Sequence, residues 1–236
     1  MRAFSLSANG SMNRALFLLV IGLGGAAILV ALGVWQVQRL AWKEGVIATI
    51  DARILDAPVA LPETPDPDED AYLPVAVTGK MTGETLRVLV SQKDLGAGYR
   101  LITALELRDR RVLLDRGFIV TGNAGFTTPV GEVTVTGNLQ WPQETDSYTP
   151  EPDINNNIWF ARDVQAMADL LGTEPVMVVA RTVSEDDPAI SPFPVDTSRI
   201  PNDHLQYAIT WFSLAAIWLA MSLLFLRRRR APKSES

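Results

Sequence analysis

Residues 15–38 read ALFLLVIGLGGAAILVALGVWQVQ, a run without a formal charge that lies between Arg14 and Arg39. Residues 205–226 read LQYAITWFSLAAIWLAMSLLFL, a second such run between His204 and Arg227. At about 1.5 Å per residue, each is long enough to cross a hydrocarbon core of about 30 Å as a helix. Within a bilayer a lone segment satisfies its backbone hydrogen bonds only as a helix. Four consecutive arginines, Arg227–Arg230, end the second run abruptly, which argues against a buried helix of a soluble core. A cleaved signal peptide ending at Ala31-Leu32-Gly33 competes for the first run, but signal cores span about 7–15 residues and this run is longer.

The charges are segregated around these two runs. The chain has 236 residues and a net charge of −6. Arg2, Arg14, Arg227–Arg230 and Lys233 against Glu235 give the ends a net +6, whereas residues 39–203 hold 14 bases against 26 acids, a net −12. Basic residues flanking a span favour the cytoplasmic side. Arg39 and Lys43 oppose this orientation but are outnumbered. The expected layout is a cytoplasmic N-terminus (1–14), a first span (15–38), an extracytoplasmic domain (39–203), a second span (204–226) and a basic cytoplasmic tail (227–236). Fourteen residues are too few for a mitochondrial transit peptide, so the expected location is a bacterial inner (plasma) membrane. There the chain would be multi-pass, with a periplasmic central domain and lipid as one of its partners. The spans should pack as a hairpin through small residues: Gly22, Gly24, Gly25, Ala26 and Gly33 on the first, Ala216 and Ala220 on the second.

The central segment has its own pattern. Val46, Ile47, Ile50 and Ile54 recur at helical spacing, which extends the first helix beyond the span. Residues 60–70 form a linker in which prolines interrupt Asp66, Asp68 and Asp70. The glycine and distal glutamate of a calcium loop are missing there. From Tyr72 onward the period becomes two. Leu86, Val88 and Val90 alternate with Arg87, Leu89 and Ser91; Leu101, Thr103 and Leu105 alternate with Ile102 and Ala104. Further strands run from Val112 to Ile119, through Val133 and Val135, and from Val176 to Ala180. Asp163 is placed to cap one helix that ends at Leu171, with Gly172 as its stop. The fold class is therefore a two-helix transmembrane hairpin plus an antiparallel β-rich, α+β domain with one short helix, barrel-like or sandwich-like. Gly96-Ala97-Gly98 lies between strands and reads as a hairpin turn, because no helix follows to hold a phosphate. The acidic surface argues against nucleic acid as a partner.

The chain has no cysteine and one histidine. Disulfides, thiolate nucleophiles, iron–sulfur clusters, Cys/His zinc sites and copper–thiolate delivery are excluded. His204 alone offers an imidazole to a transition metal. It follows Asn202 and Asp203, either of which could cap the second span, so it sits in that helix's first turn at the outer interface. Tyr207 and Trp211 lie at i+3 and i+7 from it, and Trp35 and Trp42 come to a similar level from the first helix. An axial imidazole beside a greasy, aromatic helix pair suits a haem. An interfacial histidine beside an ordinary aromatic belt has the same composition.

Several segments, in this order and topology, resemble the Surfeit locus protein one family of cytochrome c oxidase assembly factors. They are Gly33-Val34-Trp35-Gln36-Val37-Gln38-Arg39-Leu40 with Lys43, then Gly96-Ala97-Gly98-Tyr99-Arg100-Leu101-Ile102-Thr103, then Leu113-Leu114-Asp115-Arg116-Gly117-Phe118. The most specific runs from Asn202 through His204, Tyr207 and Trp211 to Phe212. Ala104 and Phe118 depart from the family's usual proline and tryptophan. The resemblance implies a non-enzymatic role in maturing haem–copper oxidase. It implies transient binding of haem a with His204 as the iron ligand, and insertion of that haem into oxidase subunit I. The enzyme that makes haem a is a second implied partner. Tyr207 and Trp211 are assigned to the haem site from helical spacing. The alternative is a membrane-anchored scaffold that steadies an oxidase intermediate without a cofactor. Arg100 and Arg116 could pair with haem propionates or a partner subunit, or form ion pairs within the acidic domain.

Overall fold

The computed structural model describes residues 7–92, 95–122, 125–129, 131–198 and 200–230. Arg2, Lys233 and Glu235, three of the charges bearing on topology, lie outside them. Among the described residues three helices and six strands follow one another: α1 (Ser7–Leu55), β1 (Val59–Ala60), β2 (Pro74–Gln92), β3 (Gly96–Glu106), β4 (Arg111–Val120), β5 (Glu132–Gln140), α2 (Val164–Leu171), β6 (Met177–Val183) and α3 (His204–Arg230). α1 is unbroken, so the helical pattern through Ile50 and Ile54 does continue the first apolar run. The chain divides into two units: Met1–Ala48 with Ser198–Ser236, and Thr49–Thr197.

The second unit is a closed barrel. β2 has 19 residues, enough to serve two neighbours. Its first half, Pro74–Lys80, pairs with β5, and its second half, up to Gln92, pairs with β3. β3 pairs with β4, β4 with β6 and β6 with β5, so five strands close into a ring. Closure removes the unpaired edges that an open sheet would expose. The pairing of β4 with β6 is parallel, while the rest of the ring is antiparallel. Chain order explains the exception: β5 and the long connection carrying α2 lie between those two partners, leaving room for a crossover. Gly96, Ala97 and Gly98, expected as a turn, are instead the first residues of β3 and pair with Gln92, Ser91 and Val90.

Both faces of β3 and β4 are covered, which is why these strands read as nearly continuous apolar runs. Leu105, Val112 and Leu114 pack with Val75, Val135 and Val178 in one cluster. Ile102, Ala104 and Leu113 pack in the other with Met167 and Leu171 of α2 and with Ile54 from the end of α1. Asp163 caps α2 by accepting the Ala166 N–H at 3.0 Å, and Gly172 stops it in the left-handed conformation at φ 62. The carbonyl of Ile54 in the last turn of α1 accepts from Asn138 Nδ2 at 3.1 Å and from Arg181. A helix end with no further turn to bond is thereby satisfied by barrel side chains.

One irregularity in β4 matters for the charges inside the unit. Ile102 faces Asp115 and Leu101 faces Gly117, so Arg116 is an extra residue in a β-bulge. Gly117 sits at φ +125, and a Cβ there would lie 2.3 Å from the Ser191 carbonyl oxygen. Only glycine lets the 191 segment come close enough for Phe118 and Ser191 to exchange two backbone hydrogen bonds of 2.8 Å.

In the helical unit, residues Leu19–Leu55 and His204–Arg227 are long and apolar enough to cross a membrane. Large apolar side chains such as Leu16, Leu23, Ile28, Leu205, Ile217 and Phe225 point outward, as lipid would favour. A single seam joins the helices. On α1 it comprises Gly22, Gly25, Ala26, Gly33 and Gln36; on α3 it comprises His204, Ala208, Phe212, Ala215, Trp218 and Ser222. A Cβ on Gly25 would stand 2.6 Å from Trp218 Nε1, and one on Gly33 would stand 2.7 Å from the Phe212 ring. Trp218 Nε1 donates to the Gly22 carbonyl at 3.0 Å. Glycine thus provides the cradles that seat two bulky aromatic rings. The expected small residues are partly corrected. Gly24 has nothing within 4 Å, and Ala208 and Ala215 are buried on α3 instead of Ala216 and Ala220. The seam advances by three or four residues from His204, and that period lands on 208, 212, 215, 218 and 222.

Because the chain has no cysteine, the seam can be tested by cross-linking. Gly22→Cys with Ser222→Cys should form a disulfide on mild oxidation in the membrane, since a Cβ at Gly22 lies 3.0 Å from Ser222 Cβ. Adding Gly33→Leu should slow that cross-link by roughly tenfold, given an overpacking cost of about 1–3 kcal/mol. An unchanged rate would contradict the described seam.

Candidate functional site

The only histidine is the first residue of α3. The Asp203 carbonyl accepts the Tyr207 N–H at 3.2 Å, so Asp203 holds the cap position. Asn202 does not cap; its buried Oδ1 has no hydrogen-bond partner among the described residues. His204 is half-buried, and its Nδ1 lies 2.8 Å from Gln36 Oε1 across the seam. Gln36 is 8% exposed and sits three residues beyond Gly33 on α1. An amide oxygen can only accept, so this contact is a hydrogen bond in the tautomer with the hydrogen on Nδ1, which leaves the neutral ring's lone pair on Nε2. Nε2 makes no hydrogen bond among the described residues.

The other sequence candidates fall into two groups. Trp211 is half-buried, two turns along α3 from His204. Tyr207 is 55% exposed and points away from the seam. Trp35 and Trp42 are also largely exposed, and the Arg39 guanidinium lies 3.9 Å from the Trp42 ring centroid. Gln36 is the residue that sequence reasoning did not single out, although it stood within a quoted motif. Its signal was a neutral polar side chain near the end of an apolar run, at seam spacing from Gly33.

Arg100 and Arg116 are both engaged within the barrel unit. Arg100 Nε donates to Asp115 Oδ2 at 2.6 Å and Nη2 donates to the Phe193 carbonyl at 2.7 Å, with the guanidinium 4.2 Å from the Phe193 ring centroid. Asp115 is fully buried and also accepts from the Gly117 N–H at 3.1 Å and from Arg162 at 3.5 Å. Arg162 continues the chain to Glu144 at 2.5 Å and to Gln140 at 3.0 Å. Arg116 pairs with Asp186 and donates to the Thr127 carbonyl at 2.8 Å. The ion-pair reading of these arginines therefore holds. Among the described residues no group of three or more His, Asp or Glu side chains is arranged to hold a metal ion.

Burial works against the charge of Glu144, but the hydrogen bonds and charge of Arg162 outweigh it and hold this carboxyl below the usual glutamate range. Burial pushes the Arg100 guanidinium down despite Asp115 beside it. An arginine stays charged at any ordinary pH. Asp115→Asn should therefore strand buried cations and cost about 3–5 kcal/mol of stability, measured by denaturant unfolding of the full chain in detergent. An unshifted midpoint would show the cluster to be dispensable. The Glu144 contribution is complete above its unfolded value near 4.5 and is lost as pH falls through the lower folded value. Melting temperature should drop more in the wild type than in Glu144→Gln between about pH 5 and pH 3.

Known proteins match this sequence along most of the chain. The sequence profile of the SURF1 family covers residues 23–216, which takes in most of α1, the first half of α3 and the whole barrel. The SURF1-like protein of Monosiga brevicollis is 33% identical over 86% of this chain and 85% of its own length. Human Surfeit locus protein 1 is 30% identical over 78% of this chain and 69% of its own length. A bacterial relative, the SURF1-like protein of Rickettsia conorii, is 28% identical over 86% of this chain and 89% of its own length. With the profile spanning Gln36, the Asp115 bulge and His204 alike, the chain belongs to the SURF1 family.

Proposed function

We propose that this protein is a membrane-anchored assembly factor for haem–copper cytochrome c oxidase. It holds haem a through His204 and assists its transfer to subunit I. One observation carries the reading: the single imidazole of the chain is held by Gln36 on Nδ1 at 2.8 Å, which leaves the Nε2 lone pair for iron. Metal-binding histidines are commonly fixed in this way by an acceptor on the second ring nitrogen. Bound haem would offer iron to that nitrogen and a flat apolar macrocycle to neighbouring aromatic side chains. Trp211 and the exposed Tyr207 and Trp35 are the candidates for that contact.

The role is delivery, with no catalytic step. A carrier must release its cargo, and one protein ligand grips iron less firmly than two. The outward apolar faces of α1 and α3 are the surfaces available to subunit I or to the enzyme that makes haem a. The charge distribution supports cytoplasmic termini and an acidic domain on the opposite side. The Rickettsia relative supports placement in a bacterial inner membrane.

The test is an absorption spectrum of the full chain, purified from a haem a-producing host through a tag that contains no histidine. The wild type should show a haem Soret band, and His204→Ala should reduce haem occupancy by at least about tenfold. Equal occupancy in the variant would remove the ligand assignment. A haem-free wild type that still co-purifies with subunit I would favour a scaffold.

A further inference from the structure

We infer that Gln36 is a positioning residue: through its side-chain oxygen it selects the Nδ1–H tautomer of His204 and aims Nε2 away from the seam. The haem arm of this inference rests on the function proposed above; the tautomer arm does not. The geometry is specific. Gln36 is almost wholly buried, and its Oε1 stands 2.8 Å from Nδ1 of a histidine 168 positions away in the chain. The two meet because Gly25 and Gly33 let α1 and α3 approach to the depth of an aromatic ring.

The chemistry runs in one direction. The side-chain oxygen is an acceptor, so the ring nitrogen facing it must be a donor. In water a neutral histidine favours the opposite form, with its hydrogen on Nε2, where no metal could bind that nitrogen. Gln36 would reverse this preference and present the unprotonated Nε2 before any ligand arrives. It also restrains rotation of the ring, a job that falls to the outer hydrogen-bond partners of metal-bound histidines. Length matters too. Asparagine at 36 is one methylene short of the contact, whereas glutamate matches glutamine in reach and accepts more strongly.

The lone histidine makes the test direct. The full chain, labelled with ¹⁵N-histidine and held in lipid nanodiscs without haem, gives one pair of imidazole nitrogen signals. At a pH where the ring is neutral, wild type and Gln36→Glu should show Nδ1 protonated and Nε2 unprotonated. Gln36→Leu and Gln36→Asn should revert to the Nε2–H form. Wild type with its hydrogen on Nε2, or variants that leave the signals unchanged, would overturn the assignment. The cross-link between positions 22 and 222, measured in the same variants, separates loss of tautomer control from loss of helix pairing.

In a second arm, haem occupancy should fall about 10–100-fold in Gln36→Leu and recover in Gln36→Glu. The expected nitrogen signals in a wild type that takes up no haem would uphold the positioning role and refute the haem function. Haem binding that is insensitive to Gln36→Leu, with the tautomer reversed, would refute the positioning role toward iron alone.

Discussion

The close approach of α1 and α3 is the constraint on which the candidate site depends. Trp218 and Phe212 are large rings on α3, and each meets α1 at a glycine where an added Cβ would stand under 3 Å away. Transmembrane helices gain nothing from the hydrophobic effect when they associate in lipid, so contact density must supply the attraction. Seating an indole in the hollow of Gly25 and letting it donate to the Gly22 carbonyl provides both packing and a hydrogen bond. The same closeness brings two polar side chains, Gln36 and His204, within hydrogen-bond reach. A larger residue at Gly33 would push the helices apart beside that pair.

The barrel unit solves a different problem, that of burying charge. Its bulge at Arg116 puts two consecutive charged residues, Asp115 and Arg116, inside the protein. Each is matched: Asp115 by Arg100 and Arg162, and Arg116 by Asp186. Such pairs rarely beat well-packed apolar residues in stability, but losing one partner is costly. Their hydrogen bonds reach distant stretches of chain, including the Phe193 and Thr127 carbonyls. The cluster therefore ties the long irregular segments to the sheet. It also occupies the two arginines that a reading from sequence would offer to an anionic ligand.

Much of the architecture was legible in advance because it follows from local rules. Uncharged runs of spanning length, a four-arginine stop and a two-residue period need no tertiary knowledge to interpret. The Asp163 cap and Gly172 stop of α2 were equally local and appear as expected. Other features depended on partners far along the chain. Ring closure requires β2 to change neighbours partway along its length, and the parallel β4–β6 pair requires a crossover. The contacting faces of the spans were half-legible: glycines on α1 stood out, but α3 is apolar all round, so Ala208 and Ala215 carried no mark distinguishing them from Ala216 and Ala220.

For the site, the sequence by itself determined that His204 is the one imidazole and that it opens the second apolar helix. Composition and a helix boundary suffice for both. Tertiary structure alone decided what that imidazole is bonded to. It chose Gln36 over the nearby aromatic side chains, turned Tyr207 outward, and engaged Arg100 and Arg116 inside the barrel. The physical reason is that hydrogen bonds and ion pairs are short-ranged. Residues 36 and 204 can satisfy one another only once the glycine seam has brought their helices together.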